Sequence, residues 1–250
     1  MPSYTAHTIM ARDVYKKLKN KKDVSLDYML TYSLGGDLTN FAKCRHTSHN
    51  KNREEFFNTL CKYAKDNNLN KDPEIIGLIY GHICHYALDD MAHPLVRKLA
   101  KKAKGKRSHY HVEDNFDKYL VSKKYHTDVN KYDNKVLFKG KVTKKIKNIL
   151  DYAYEKNYNE KHLSRYYKFN IFLYKKIKYL YIIPGIKLYR KITGFTKFLK
   201  LNKSIDLLNN NHETTFKIDG KERNDSLKDL YDKSIEKALK DIEKINKKLK

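Results

Sequence analysis

The stretch DPEIIGLIYGHICHYALDDMAHP, Asp72 to Pro94, decides how the chain is read. Asp72-Pro73 is a helix-opening pair, with a capping aspartate and a proline whose φ already suits the first turn. The apolar positions 75, 76, 78, 79, 80, 83, 84, 86, 87 and 88 then run nearly all round the cylinder. A helix that is apolar on every face is buried. Yet its second half, from Gly81, holds three histidines and two aspartates. Charged side chains are costly in a core unless something pairs them. Pro94 disfavours helical geometry at His93 and is expected to end the helix there.

Spacing sorts these polar residues. His85, Asp89 and His93 are four and four apart, so they share one helical face. Asp90 points elsewhere and reads as a surface or supporting group. His109, Glu113 and Asp117 repeat the four-and-four spacing in SHYHVEDNFDKYLVSKK, which looks like a second helix. One such row alone reads as a satisfied histidine beside a surface carboxylate. Two rows so close together, one of them in an apolar helix, argue for more. Nine of the eleven histidines also fall before residue 127, which chance scatter does not favour. Imidazole and carboxylate without cysteine suit zinc, iron or manganese. The chain has no H-E-x-x-H, no His-Asp doublet and no Glu-x-x-His, which excludes several other helical metal motifs.

Composition sets the frame. The chain has 250 residues, of which 40% are hydrophobic, enough for a real core. With no Trp, nine Gly and four Pro, long helices are favoured over a turn-rich β fold. No window has the ~18 apolar residues of a membrane span, and the N-terminal stretch lacks the pattern of a leader. Three cysteines, Cys44, Cys61 and Cys84, show no C-x-x-C spacing and argue for a reducing compartment. The expected location is cytoplasmic, with peripheral membrane association as an extension. The net charge of +25 suits an anionic partner, but Lys, Asn, Tyr and Ile are over-used together, as AT-rich coding alone would produce.

The remaining segments support an all-α class. A first helix is expected from Thr5 or Thr8, with His7 near its start. Gly35 and Gly36 in SLGGDLTNF place Asp37 on a loop or helix start. NREEFFNTLCKYAKDN has a helical apolar stripe. KLAKKAKGKR reads as a basic loop and residues 126–140 as irregular. Residues 141–158 return to a helical pattern, and RNDSLKDLYDKSIEKALKDIEKINKKLK is a terminal amphipathic helix. No segment alternates at period two. The expectation is one domain over 1–250, a multi-helix bundle with its metal-site core in about 1–125 and a basic, aromatic remainder in about 126–250.

GHICHYALDDMAHP followed by HYHVEDNFD resembles the zinc-dependent phospholipase C family, which is related to the S1/P1 nucleases. That family is all-helical and hydrolyses phosphodiesters with up to three zinc ions. Its residue order is matched here by His7, Asp37 in GGDL, His49 (His46 being the weaker candidate), His85 and Asp89, His93, then His109 and Glu113, with Asp117 completing an E-x-x-x-D of intracellular members. The likeness is strong over residues 1–120 and faint beyond. Secreted members use a processed amino end as a ligand, which is not evident here, and Asp89 and His93 are closer than in those enzymes.

The resemblance implies two or three zinc ions: one held by Asp37, His49, His85 and Asp89, a second by His93, His109 and Glu113, and a third by His7 with Asp89 as a bridge. It implies water attack on phosphorus, with Asp37 as general base or water-orienting group. Tyr4 and Tyr86 either line the pocket or simply pack. The implied substrate is a phosphodiester, with phospholipid the leading class. A nuclease of the S1/P1 type is the alternative enzyme, and a non-catalytic, metal-stabilised membrane-surface binder the alternative of another class. Residues 161–203 carry twelve basic residues, no acidic ones and ten aromatics. They read as helices covering the metal core or, less favoured, as an element for an anionic membrane surface.

Overall fold

The computed structural model describes residues 4–45, 47, 52–102, 108–127, 138–182 and 214–250. Among the described residues, eight α-helices are formed by Tyr4–Lys17 (α1), Leu26–Tyr32 (α2), Arg53–Asp66 (α3), Pro73–Lys102 (α4), Ser108–Tyr125 (α5), Lys144–Tyr158 (α6), Ser164–Ile182 (α7) and Leu227–Leu249 (α8). Short 3-10 turns occupy Lys21–Asp23 and Gly35–Thr39, and strands Phe216–Ile218 (β1) and Lys221–Arg223 (β2) pair as an antiparallel hairpin. The class is all-α, as its composition and periodicity predict.

The all-round apolar pattern of α4 has its expected consequence. α4 is the central helix, packed against α1, α2, α5, α8 and the Gly35–Thr39 turn. Ile75, Leu78, Ile79 and Cys84 are fully buried in it, within one cluster of buried side chains that runs from Ala6 to Leu249. Each such aliphatic side chain stabilises the fold by roughly 1.5–3 kcal/mol on burial.

α8 illustrates the opposite kind of helix, with one apolar stripe. Leu227, Leu230, Ser234, Ala238, Ile242, Ile245 and Leu249 are buried at three- and four-residue spacing, while Lys228 and Asp232 pair on the outside at 3.0 Å. Its start is fixed by a capping box. The Ser226 hydroxyl accepts from the Asp229 amide at 3.2 Å, and the Asp229 carboxylate accepts from the Ser226 amide at 3.0 Å. α7 is also two-faced: Tyr167, Ile171 and Tyr174 are buried, and Arg165, Lys168, Phe169 and Phe172 are exposed.

Three expectations need correction. Pro94 does not end α4, which continues to Lys102. The missing N–H costs about 3 kcal/mol in a helix interior, but Leu95, Val96 and Ala100 are buried in the next two turns, so packing overrides it. For the same reason the first half of KLAKKAKGKR is helix rather than loop; residues 103–107 lie outside the described residues. The hairpin at 216–223 was not expected. Its signal is Asp219-Gly220, both at positive φ (50° and 77°), the turn chemistry of a two-residue hairpin. Of the segment 126–140, residues 128–137 are outside the described residues, and Phe138 is fully buried. Among the described residues, no helix is long and apolar enough to cross a membrane.

Candidate metal centre

Four elements converge on one buried point. α1 supplies His7 from its first turn, the Gly35–Thr39 turn supplies Asp37, α4 supplies His85, Asp89 and His93, and α5 supplies His109 and Glu113. His7, Asp37, His85, Asp89 and Glu113 are all buried. His93 and His109 are partly exposed, with 22% and 38% of their side-chain surface accessible, so the cluster opens to solvent on this side.

The ligand atoms fall into two groups. Those of His7, Asp37 and His85 lie within 4.8 Å of one another, and so do those of His93, His109 and Glu113. Asp89 stands between the groups. Its Oδ1 is 3.3 Å from His7 Nε2 and 3.5 Å from His93 Nε2, and its Oδ2 is 3.3 Å from His85 Nε2. Glu113 Oε1 is 3.4 Å from His93 Nε2 and 2.9 Å from His109 Nε2. The rings of His7 and His85 stack at 4.5 Å. Hence seven of the eight candidate ligands come together. The grouping departs in one respect from the resemblance, because His7 sits with Asp37 and His85. His49, like His46, lies outside the described residues.

Electrostatics follows the same layout. Burial would raise the Asp89 carboxyl, but His93, His85 and His7 hold it well below the usual carboxylate range. Burial would lower His93, but Asp89, Glu113 and Asp37 push it up to about 9. Burial likewise opposes ionisation of Glu113, and His109 and His93 overcome it. His7 is raised: against the lowering by burial stand its hydrogen bond to Asp89 and the charges of Asp89 and Asp37. Protons thus hold together carboxylates and imidazoles that a cation would hold instead.

The donor set fits a divalent metal. Four imidazoles and three carboxylates, without a thiolate, suit zinc, iron or manganese. Among the described residues, the buried atoms His7 Nδ1 and Glu113 Oε2 have no hydrogen-bond partner. Buried polar atoms seldom stay unsatisfied, and such lone pairs are what a cation takes up.

Several residues shape the site without belonging to it. Gly35 has φ +44°, and a Cβ there would lie 2.4 Å from the His85 ring, so only glycine leaves room for that imidazole. α7 holds the Asp37 turn at two points. The Tyr167 hydroxyl is shared between His82 Nε2 at 2.8 Å and the Gly35 carbonyl at 3.3 Å. The buried Asn170 amide donates to the carbonyls of Leu38 at 3.1 Å and Asn40 at 3.0 Å. Asp117 accepts from the Ala6 amide at 2.8 Å and so ties α1 to α5 beside His7. Asp90 pairs outward with Arg53, as its helical phase predicts. His82, the third histidine of the opening stretch, is a core residue. It donates from Nδ1 to the Leu78 carbonyl at 2.9 Å, and burial lowers it to about 4. Tyr86 is buried with its ring under Arg53, and Tyr4 packs on Phe138 and Tyr174.

A cavity of about 410 Å³ is lined by Pro94, Arg97, Lys98, Lys101, Phe216, Lys217 and Glu222 among others, and by none of the cluster residues. It lies between the end of α4 and the hairpin, with four cationic side chains and one carboxylate in its wall. No family model matches the chain, and no curated protein or solved structure matches it significantly.

Proposed function

We propose that the chain is a metal-dependent phosphodiester hydrolase, of the zinc phospholipase C type that its histidine and carboxylate pattern resembles. The observation that carries this reading is the pair of ligand groups joined by Asp89. His7, Asp37 and His85 would hold one zinc ion, and His93, His109 and Glu113 another, with Asp89 between them. Zinc there would supply Lewis-acid polarisation of the phosphoryl group and a more acidic water.

The chain's own residues would do the rest. Asp37 has two oxygens, so it can ligate through one and take the attacking water's proton through the other. Tyr167 and Asn170 keep it in place through the backbone of its turn. Three carboxylates against two divalent ions leave one positive charge, which a phosphodiester anion cancels. The substrate would enter where His93 and His109 are exposed, drawn by Arg97, Lys98 and Lys101 beyond them. Phospholipid is the leading substrate class.

The test is elemental analysis of protein purified without chelator, together with hydrolysis of bis(p-nitrophenyl) phosphate, a phospholipid and single-stranded DNA. The reading expects stoichiometric transition metal and hydrolysis that chelation abolishes. Absence of metal refutes it, and preference for DNA over lipid replaces the phospholipase reading with the nuclease one.

A further inference from the structure

The three most exposed large apolar side chains among the described residues are Phe41 and two phenylalanines on the neighbouring stripe of α7. Phe41 is 69% exposed, Phe172 56% and Phe169 50%, and the rings of Phe41 and Phe169 touch edge to face at 5.9 Å. Phe169 and Phe172 lie on the outer stripe of α7, which also carries the exposed Arg165 and Lys168. Phe41 leads into the exposed Lys43. Neither residues 41–47 nor residues 161–182 contain an acidic side chain.

Phe41 is held in this position. Its φ is +74°, a conformation that bulky residues avoid. The backbone before it is clamped by Asn170 at the Asn40 carbonyl, and the backbone after it by Glu160, which accepts from the Cys44 amide at 3.1 Å. The loop therefore carries both a strained backbone and an exposed ring to present one phenylalanine, whose edge-to-face contact with Phe169 still leaves 69% of it exposed.

We infer that this face docks the protein on an anionic membrane surface. Phe41, Phe169 and Phe172 enter the interfacial layer, and Lys43, Arg165 and Lys168 meet headgroup phosphates. The charge around the rings selects this occupant: a cationic rim without acids suits phosphate headgroups. The inference stands on the surface alone and does not rest on the metal-centre reading. Phe41 lies just after the turn that carries Asp37, so docking would also bring that turn close to the lipid.

The full chain is sedimented with phosphatidylcholine vesicles, with and without about one-fifth phosphatidylserine, at about 0.05 M and about 0.5 M salt. Binding should require phosphatidylserine and weaken at high salt. Phe41→Gly relieves the strained φ, so its melting temperature should hold or rise while vesicle binding falls. Phe169→Ser with Phe172→Ser should weaken binding about tenfold or more per ring removed, and Arg165→Gln with Lys168→Gln should reduce the salt dependence, leaving the part due to Lys43. Metal content should not change in any of them. The control Lys17→Gln with Lys240→Gln, exposed charges elsewhere, should bind as the parent does. Equal loss in the control, unchanged binding in the phenylalanine variants, or a dimer in analytical ultracentrifugation that those variants dissolve would each overturn the inference, the last by assigning the patch to a second copy of the chain.

Discussion

Replacing Asp89 with asparagine keeps the shape of the side chain and removes one charge from the middle of the cluster. Asp89 meets His7 and His85 at 3.3 Å and His93 at 3.5 Å. Asparagine offers one acceptor oxygen and a donor amide, so only one side of these contacts survives. In the metal-free protein at neutral pH His93 carries a proton, because Asp89, Glu113 and Asp37 push it up to about 9 against the effect of burial. Removing one partner of a buried pair costs about 3–5 kcal/mol. Metal-free Asp89→Asn should therefore lose that much unfolding free energy at neutral pH. The difference should shrink above pH about 9, where parental His93 is itself neutral. Metal content should fall at both groups, since Asp89 lies between them. Urea unfolding followed by circular dichroism on both sides of that pH, with elemental analysis, measures all three effects. A variant that keeps the parental metal content and unfolds within about 1 kcal/mol of the parent, a typical neutral substitution, refutes the bridging role.

Asp37→Asn should keep the fold and remove most hydrolysis, because its turn is held by backbone bonds to Tyr167 and Asn170; an unchanged rate on a generic phosphodiester rules Asp37 out as the base. Gly35→Ala should cost about 2–4 kcal/mol, from a positive φ and a Cβ thrust into the His85 ring, and metal content should fall with it; a parental melting curve contradicts the cradle. The metal-free protein should also lose stability with rising pH. His93 has a folded value of about 9 against 6.5 unfolded, so its contribution of about 3 kcal/mol is complete below the lower value and lost as pH rises through the upper one. Asp89 and Glu113, both depressed, act at the other end: their contribution is present above the ordinary carboxylate range and lost as pH falls through their folded values. Thermal melts across that range, with chelator, check the sign.

Spacing made much of this site legible. The four-and-four rows of α4 and α5 put His85, Asp89 and His93 on one helical stripe and His109 and Glu113 on another. Gly35 and Gly36 marked Asp37 as a turn residue. Local pattern could not show that His7 stacks on His85, because that contact joins α1 to α4 across the core. Nor could it show Tyr167 and Asn170 holding the Asp37 turn, since a tyrosine and an asparagine in a lysine-rich helix carry no signal of their partners. Pro94 is a poor guide to the end of α4 because burial of Leu95 and Val96 outweighs the local cost of proline. The hairpin escaped because three-residue strands are too short to show alternation, although Asp219-Gly220 marked the turn.

The packing of α8 along α4 has a consequence for biosynthesis. α8 buries Ala238, Ile242 and Ile245 in the same core as α4, and Tyr80 of α4 hydrogen-bonds Asn246 of α8. α4 ends at Lys102 and α8 begins at Leu227. At about 5–20 residues per second on the ribosome, roughly 6–25 seconds separate the emergence of these two helices. During that interval α4, apolar nearly all round, is complete while one of its faces lacks its cover. A nascent chain stalled before Leu227 should therefore be held by chaperones or aggregate, and should gain solubility only once the last helix has emerged.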